Sequence, residues 1–261
     1  MNEAFEVKGG VRKLEQRKQR KQDPQYPLEH IRDFASFDAE FSPSGQLVLE
    51  TRYTRGGSVH RCTRFEYDEA GRLVRTASVD GDGNNLGSSE LSYAESKCIW
   101  VNRDALGVVA NHGVDDYSGK HVLSTATFDN ENRPRRVKTF EYSGDRLVKS
   151  ESLYYLLDGT VCEHWLADYD SEERIHKTYG LKADGSPLGD GKYLYEYDQE
   201  GRRSKIWTFN EFGHDNIATN VTIYDYVNDD IGNWLERHEY HLWRDDSYQS
   251  KRLTTRTLTY Y

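Results

Sequence analysis

Along most of the chain short runs of alternating apolar and polar residues are separated by turn-forming clusters. Arg146–Tyr155 (RLVKSESLYY) is one such run, rich in Leu, Val and Tyr, and the period of two places its residues on alternate faces of a strand. The clusters between runs carry Asp or Ser followed by Gly: SPSG at 42–45, DEAG at 68–71 and DQEG at 198–201. Asp or Ser accepts a local backbone bond, and Gly supplies the positive φ that closes a hairpin. Second turns follow about twelve residues later at Gly56-Gly57, Asp80–Asn84, Asp158-Gly159, Asp184-Gly185 and Gly213–Asn216. Runs of eight to ten residues between such turns predict two antiparallel strands per unit.

The units repeat. FEYDEAGRLV (65–74), FEYSGDRLV (140–148), ADYDSEERI (167–175) and YEYDQEGRRS (195–204) are variants of one pattern, with weaker copies elsewhere. The aromatic before each turn falls at Phe41, Tyr67, Tyr93, Tyr117, Tyr142, Tyr169, Tyr197 and Tyr226, at successive spacings of 26, 26, 24, 25, 27, 28 and 29. Eight units and about sixteen strands predict an all-β fold: an elongated, curved antiparallel sheet of stacked hairpins. Its ends need caps. Pro27–Phe34 is the expected short N-terminal helix and Arg252–Tyr261 the expected closing strand.

Composition narrows this picture. At 36% hydrophobic residues, the 261-residue chain cannot build a thick aliphatic core, and its 13% aromatics argue against disorder. Tyr (19) outnumbers Phe (9), so much of the packing falls to rings with a wet end. No run of 18 apolar residues and no apolar stretch after the N-terminal charges occurs, and the three cysteines are scattered. A soluble cytoplasmic protein with reduced thiols is the expectation, without membrane contact.

Charge divides the chain. Residues 1–21 hold seven Lys/Arg against three Glu, a net of +4, so the total of −9 leaves −13 on residues 22–261. This predicts a basic, mobile arm over 1–25 and one acidic repeat domain over 26–261. An acidic body repels phosphate backbones, which argues against nucleic acid and for a basic protein partner.

The pattern Tyr-Asp-x-x-Gly-Arg-Leu at Tyr67–Leu73, nearly repeated from Tyr197 to Arg202, resembles the YD repeats of bacterial Rhs and teneurin-type proteins. Gly232-Asn233-Trp234-Leu235 is similar to the last unit of small standalone members. Tyr93, Tyr117, Tyr142 and Tyr226 depart from the pattern, since Asp does not follow them. The large members wind into a shell around a toxin. About 225 residues are too few for that, so the resemblance implies a small relative, and small cytosolic relatives of toxin systems are often immunity proteins.

The candidate binding residues follow from the repeat. Seven of the eight residues before the anchors are acidic, among them Glu66, Asp116, Glu141, Asp168, Glu196 and Asp225, and they share the face opposite the anchors. One reading is an acidic stripe for a basic partner. The other is cross-strand pairing with Arg75, Lys149, Lys177 and Lys205 on the return strands. Trp165 and Trp207 are candidate anchors for a partner or stacking platforms for a sugar, though tryptophans also fill thin sheets. His238 and His241 lie three apart, on opposite faces of a strand, and do not make a metal site. No GxSxG, HExxH, P-loop or dinucleotide-binding motif occurs. The expectation is a non-enzymatic protein without cofactor or metal, monomeric when unbound, that neutralises a basic toxin or effector domain by occlusion. A glycan-binding module and an assembly repeat are the alternatives.

Overall fold

The computed structural model describes residues 8–21, 36–54, 56–209, 218–243 and 248–261. Their regular structure is eighteen antiparallel strands. The first nine are β1 (Val11–Lys21), β2 (Ser36–Phe41), β3 (Leu47–Tyr53), β4 (Val59–Tyr67), β5 (Leu73–Val79), β6 (Asn85–Ala94), β7 (Lys97–Arg103), β8 (Val109–Ser118) and β9 (His121–Asp129). The second nine are β10 (Pro134–Ser143), β11 (Arg146–Tyr155), β12 (Val161–Tyr169), β13 (Ile175–Lys182), β14 (Pro187–Tyr197), β15 (Arg203–Phe209), β16 (Asn220–Asn228), β17 (Trp234–Trp243) and β18 (Tyr248–Tyr260). Hydrogen-bonded neighbours follow chain order, and β1 pairs with both β2 and β18. The ladder closes on itself, in the connectivity of an eighteen-stranded β-barrel, and no helix occurs among the described residues.

This corrects the expected open, curved stack of hairpins. An open ladder leaves two edges of unpaired backbone groups, and closure removes both. The closing strand comes from the segment expected as a mobile basic arm. The expected helix at Pro27–Phe34 lies outside the described residues. Arg252–Tyr261 is strand as expected, within β18, but its neighbour across the closure is β1.

The strand character of Val11–Lys21 has a local cause. Val11 and Leu14 are three residues apart, which on a regular strand sets them on opposite faces. A β-bulge between Val11 and Lys13 turns both inward, where they are buried with Ala39 and Phe41. Two of the basic residues near them, Lys13 and Arg17, have Asp38 of β2 within 4 Å across the ladder. Arg17 donates to Asp38 at 2.6 Å, and Lys13 donates to Glu15 at 2.8 Å. Gln16 is buried, and its amide oxygen accepts from Arg256 Nε at 3.2 Å.

The chain forms two compact units, residues 1–88, 224–241 and 248–261 in one and residues 89–223 and 242–247 in the other. In the first, Asn233 ties the N-terminal segment to the C-terminal strands. Its Nδ2, with two hydrogens to give, lies 3.0–3.2 Å from Lys8 O, Asp229 Oδ2 and Tyr260 OH, and its Oδ1 accepts from Lys8 N. Beside it the Arg256 guanidinium lies 3.3 Å from the Trp234 ring centroid.

The turn sequence explains its own residues. Asp68 N–H donates to Arg72 O and Gly71 N–H to Asp68 O, both at 2.9 Å, which makes a type I turn whose last residue needs positive φ. Gly71 supplies it at +77°. Asp68 Oδ1 accepts the Arg72 N–H and Oδ2 the Arg72 Nε, each at 2.8 Å. Asp129 with Arg133, Asp170 with Arg174 and Asp198 with Arg202 repeat the clamp. The anchoring tyrosine reaches back to the preceding strand: Tyr67 OH donates to Leu47 O, Tyr142 OH to Val122 O and Tyr197 OH to Ile175 O, at 2.7–3.0 Å. A side chain that is apolar along its ring and polar at its tip suits this role, which accounts for Tyr outnumbering Phe.

Candidate functional site

The residues singled out in the sequence fall on defined rungs. In the second unit the register runs Glu141, Lys149, Asp168, Lys177, Leu194, Trp207 across β10 to β15. Asp116 and Glu196 lie on the same face by strand alternation. The carboxylates there alternate with cations. Asp116 pairs with Lys97 at 3.1 Å, which holds its carboxyl below the usual range. Glu196 lies 3.6 Å from Lys205 and accepts from Trp207 Nε1 at 2.6 Å. In the first unit Glu66 is opposite Arg75 at 3.2 Å, and Asp225 is exposed on β16. Three of the predicted carboxylates, Glu66, Asp116 and Glu196, thus have a cation within 4 Å across the strands, whereas Glu141 and Asp168 are opposite lysines in the register alone. Trp165 lies on the other face of the second unit. Its ring is over Gly180, it stacks on Tyr193 at 6.3 Å, and its Nε1 donates to Glu163 at 3.0 Å. Trp165 and Trp207 therefore cannot form one aromatic platform. His238 and His241 each contact a carboxylate two residues away, Glu236 and Glu239.

A concave site of the second unit lies elsewhere, at three successive turns. A cleft of about 650 Å³ is lined by Lys120 and His121 from the β8–β9 turn, by Tyr142 and Asp145–Leu147 around the β10–β11 turn, and by Ser171–Glu173 from the β12–β13 turn. Its form follows from turn length. The β8–β9 and β10–β11 hairpins close with two residues, Gly119-Lys120 and Gly144-Asp145, where the regular units use the longer Asp-x-x-Gly turn. The signal was present in the sequence. Tyr117 and Tyr142 are anchors not followed by Asp, and both lead into Ser-Gly.

Charges in the cleft are arranged in a chain. Asp145 accepts from Lys120 Nζ at 2.9 Å and lies 3.1 Å from His121 Nε2. The Lys120 bond first, then the His121 contact, holds the Asp145 carboxyl below the ordinary aspartate range. The His121 ring packs edge-on against Tyr142, with centroids 4.5 Å apart. Burial, with Glu173 nearby, pushes the Tyr142 phenol upward. Arg146 lines the cleft and is exposed, with no ion-pair partner among the described residues.

Glu173 occupies the turn position that glycine holds at Gly71 and Gly201, and its φ is +60°. The left-handed region costs a residue with a Cβ roughly 1–2 kcal/mol. Asn132 is the other described non-glycine residue there, and Asn tolerates it through local hydrogen bonding. Glu has no such compensation from its own backbone. Its Oε1 instead crosses to accept the Leu147 N–H at 2.9 Å, which brings the carboxylate to the cleft.

No family model and no curated protein matches the chain. Solved structures with a similar course of the backbone include a porin-like protein from Bacteroides uniformis ATCC 8492, at 12% identity over 95% of this chain and 98% of that one, with a TM-score of 0.49. A second porin-like protein, from Bacteroides vulgatus ATCC 8482, shows 13% identity over 77% and 92% of the two chains and a TM-score of 0.44. The TcdB2-TccC3-Cdc42 structure matches 94% of this chain with 16% of its own, at 12% identity and a TM-score of 0.36. None of these reaches a TM-score of 0.5. The cytoplasmic expectation is nevertheless withdrawn, and with it the picture of a small cytosolic immunity-type repeat stack. It rested on the lack of a long apolar segment, which bears on helices, whereas a closed strand ladder is the other architecture able to cross a bilayer.

Proposed function

We propose that this is a non-catalytic binding protein that grips a basic segment of a protein partner in the three-turn cleft. The observation that carries the reading is Glu173, a bulky residue kept in a glycine conformation at the one turn where its carboxylate lines the cleft. Local strain of this kind persists where a site requires it. Asp145, Glu172 and Glu173 supply the acidic wall, and the adjoining Lys120, His121 and Arg146 select against a partner carrying only positive charge. The Tyr-Asp-x-x-Gly-Arg clamps support a further reading of the hairpins as YD-type units, adapted at two turns to open this cleft.

Nuclear magnetic resonance titration with a short arginine-rich peptide tests the site. Amide shifts are expected to concentrate on Tyr142–Leu147 and Ser171–Arg174. Glu173→Gly should stabilise the fold by about 1 kcal/mol while weakening the peptide at least fivefold. Shifts spread over the whole surface, or undiminished affinity in the stabilised variant, would remove the cleft as the binding site.

A further inference from the structure

The face of the second unit opposite Glu141 holds two cations that no carboxylate answers. Arg136 and Lys138 are alternate residues of β10, so both side chains project from one face. Across the ladder Arg136 is opposite Thr127 and Tyr154, and Lys138 is opposite Thr125 and Ser152. The Arg136 guanidinium lies 5.2 Å from the Tyr154 ring centroid and donates weakly to Ser152 Oγ at 3.4 Å, and its buried Nε has no hydrogen-bond partner. Lys138 Nζ is 4.6 Å from the Phe140 ring centroid. Both residues are half-buried, and among the described residues neither makes an ion pair.

Acidic groups are abundant in this chain, 44 in all, and on the opposite face the register sets cations against carboxylates, Lys149 between Glu141 and Asp168 and Lys177 opposite Asp168. Here the nearest carboxylates in the register, Asp115 and Glu163, are one strand further away on either side, beyond Thr125 and Tyr154. Glu163 is already engaged by Trp165 Nε1. Two neighbouring half-buried cations repel each other and lose hydration, a combination that opposes folding unless something anionic joins them. Burial, followed by the charge of Arg136, lowers the Lys138 ammonium pKa, in keeping with a missing counter-charge.

We propose that Arg136 and Lys138 form a binding site for an oxyanion, the carboxylate, phosphate or sulfate group of a ligand, which the hydroxyls of Thr125, Thr127 and Ser152 help to seat. Arg136 offers a planar fork and Lys138 a point charge, the two complementary ways of meeting such a group. The Tyr154 and Phe140 rings leave the body of the ligand an apolar contact. This site is separate from the turn cleft and stands or falls without it.

Calorimetric titration of the intact chain with inorganic phosphate, sulfate and acetate, at ionic strength matched with sodium chloride, reads the site directly. Saturable binding is expected, at least tenfold weaker in Arg136→Gln or Lys138→Gln and abolished in the double variant, with Arg61→Gln as an unaffected control. A tetrahedral preference would show as phosphate and sulfate over acetate, and the reverse order would mark a carboxylate site. In the wild-type chain, phosphate should also protect Lys138 from acylation, followed by mass spectrometry. Without anion, Lys138→Met should melt no lower than wild type, because it removes an unanswered charge. No saturable binding, binding lost in Arg146→Gln but retained in the double variant, or a clearly lower melting temperature for Lys138→Met would each overturn the proposal.

Discussion

A turn aspartate does more here than start a hairpin. Asp68 accepts backbone and side-chain bonds from Arg72, the backbone bond being the strongest influence, and its carboxyl is held below the ordinary range. Asp80, Asp158 and Asp184 are lowered in the same direction, first by side-chain bonds from Asn84, Thr160 and Ser186. A carboxyl whose folded pKa is depressed contributes stability that is complete above its unfolded pKa, near 4, and lost as pH falls through the lower folded value. Urea midpoints should therefore be flat from about pH 7 to 5 and fall below about pH 4. Replacing the four aspartates with Asn should flatten that fall, because Asn keeps an acceptor oxygen without a titration. An unchanged acid limb in the quadruple variant would place the sensitivity elsewhere. The pairing of Asp with Arg in this turn was readable as a repeated motif. What it did was not readable, since only the geometry separates a clamp within one turn from a charge displayed to a partner.

Between strands, much of the cohesion comes from side chains meeting across rungs, because the aliphatic content is low. Trp100 is opposite Gly113 and Trp165 opposite Gly180, so each large ring lies over a residue without a side chain. A Cβ on Gly113 would meet Trp100 Cζ2 at 2.2 Å and Ala126 O at 2.4 Å, whereas on Gly180 the Trp165 ring is 3.1 Å away. Gly113→Ala should cost about 3 kcal/mol and Gly180→Ala about 1 kcal/mol, read from denaturant unfolding. Equal costs would mean that the Trp100 ring and the neighbouring strand give way to the new methyl group. The same rungs settle the acidic row. Glu66, Asp168 and Glu196 were visible as a periodic series, but strand period alone leaves open whether the opposing cation reaches them. The register puts Arg75, Lys177 and Lys205 opposite them, and Arg75 and Lys205 come within 4 Å of their carboxylates while Lys177 lies over the Tyr179 ring. A face carrying so many opposed charges is a wetted one, since charge facing lipid costs about 2–4 kcal/mol near a bilayer's midplane.

At the scale of the whole molecule the decisive element is β1. The eight repeating units could be counted in the sequence, yet nothing in their period distinguishes an open ladder from a closed one. The deciding information is two apolar residues in a basic segment, brought to one side by a bulge. Leu14 is fully buried, so Leu14→Ala should cost about 2–5 kcal/mol, far more than the same change at exposed Leu106. If the two variants unfold alike, β1 does not contribute to the folded core.

Closure by β1 also sets a timetable. Val11 is aligned with Tyr260 and Lys21 with Lys251, so β1 is made more than 200 residues before β18, the strand it pairs with there. Each intervening hairpin can zip up as it emerges, since its contacts are local. The N-terminal strand must meanwhile wait with one edge unsatisfied, at 5–20 residues per second for over 200 residues, which is roughly ten seconds or more. A nascent chain in that interval is a row of finished hairpins with open sides, the kind of edge at which Lys and Arg oppose pairing with another chain.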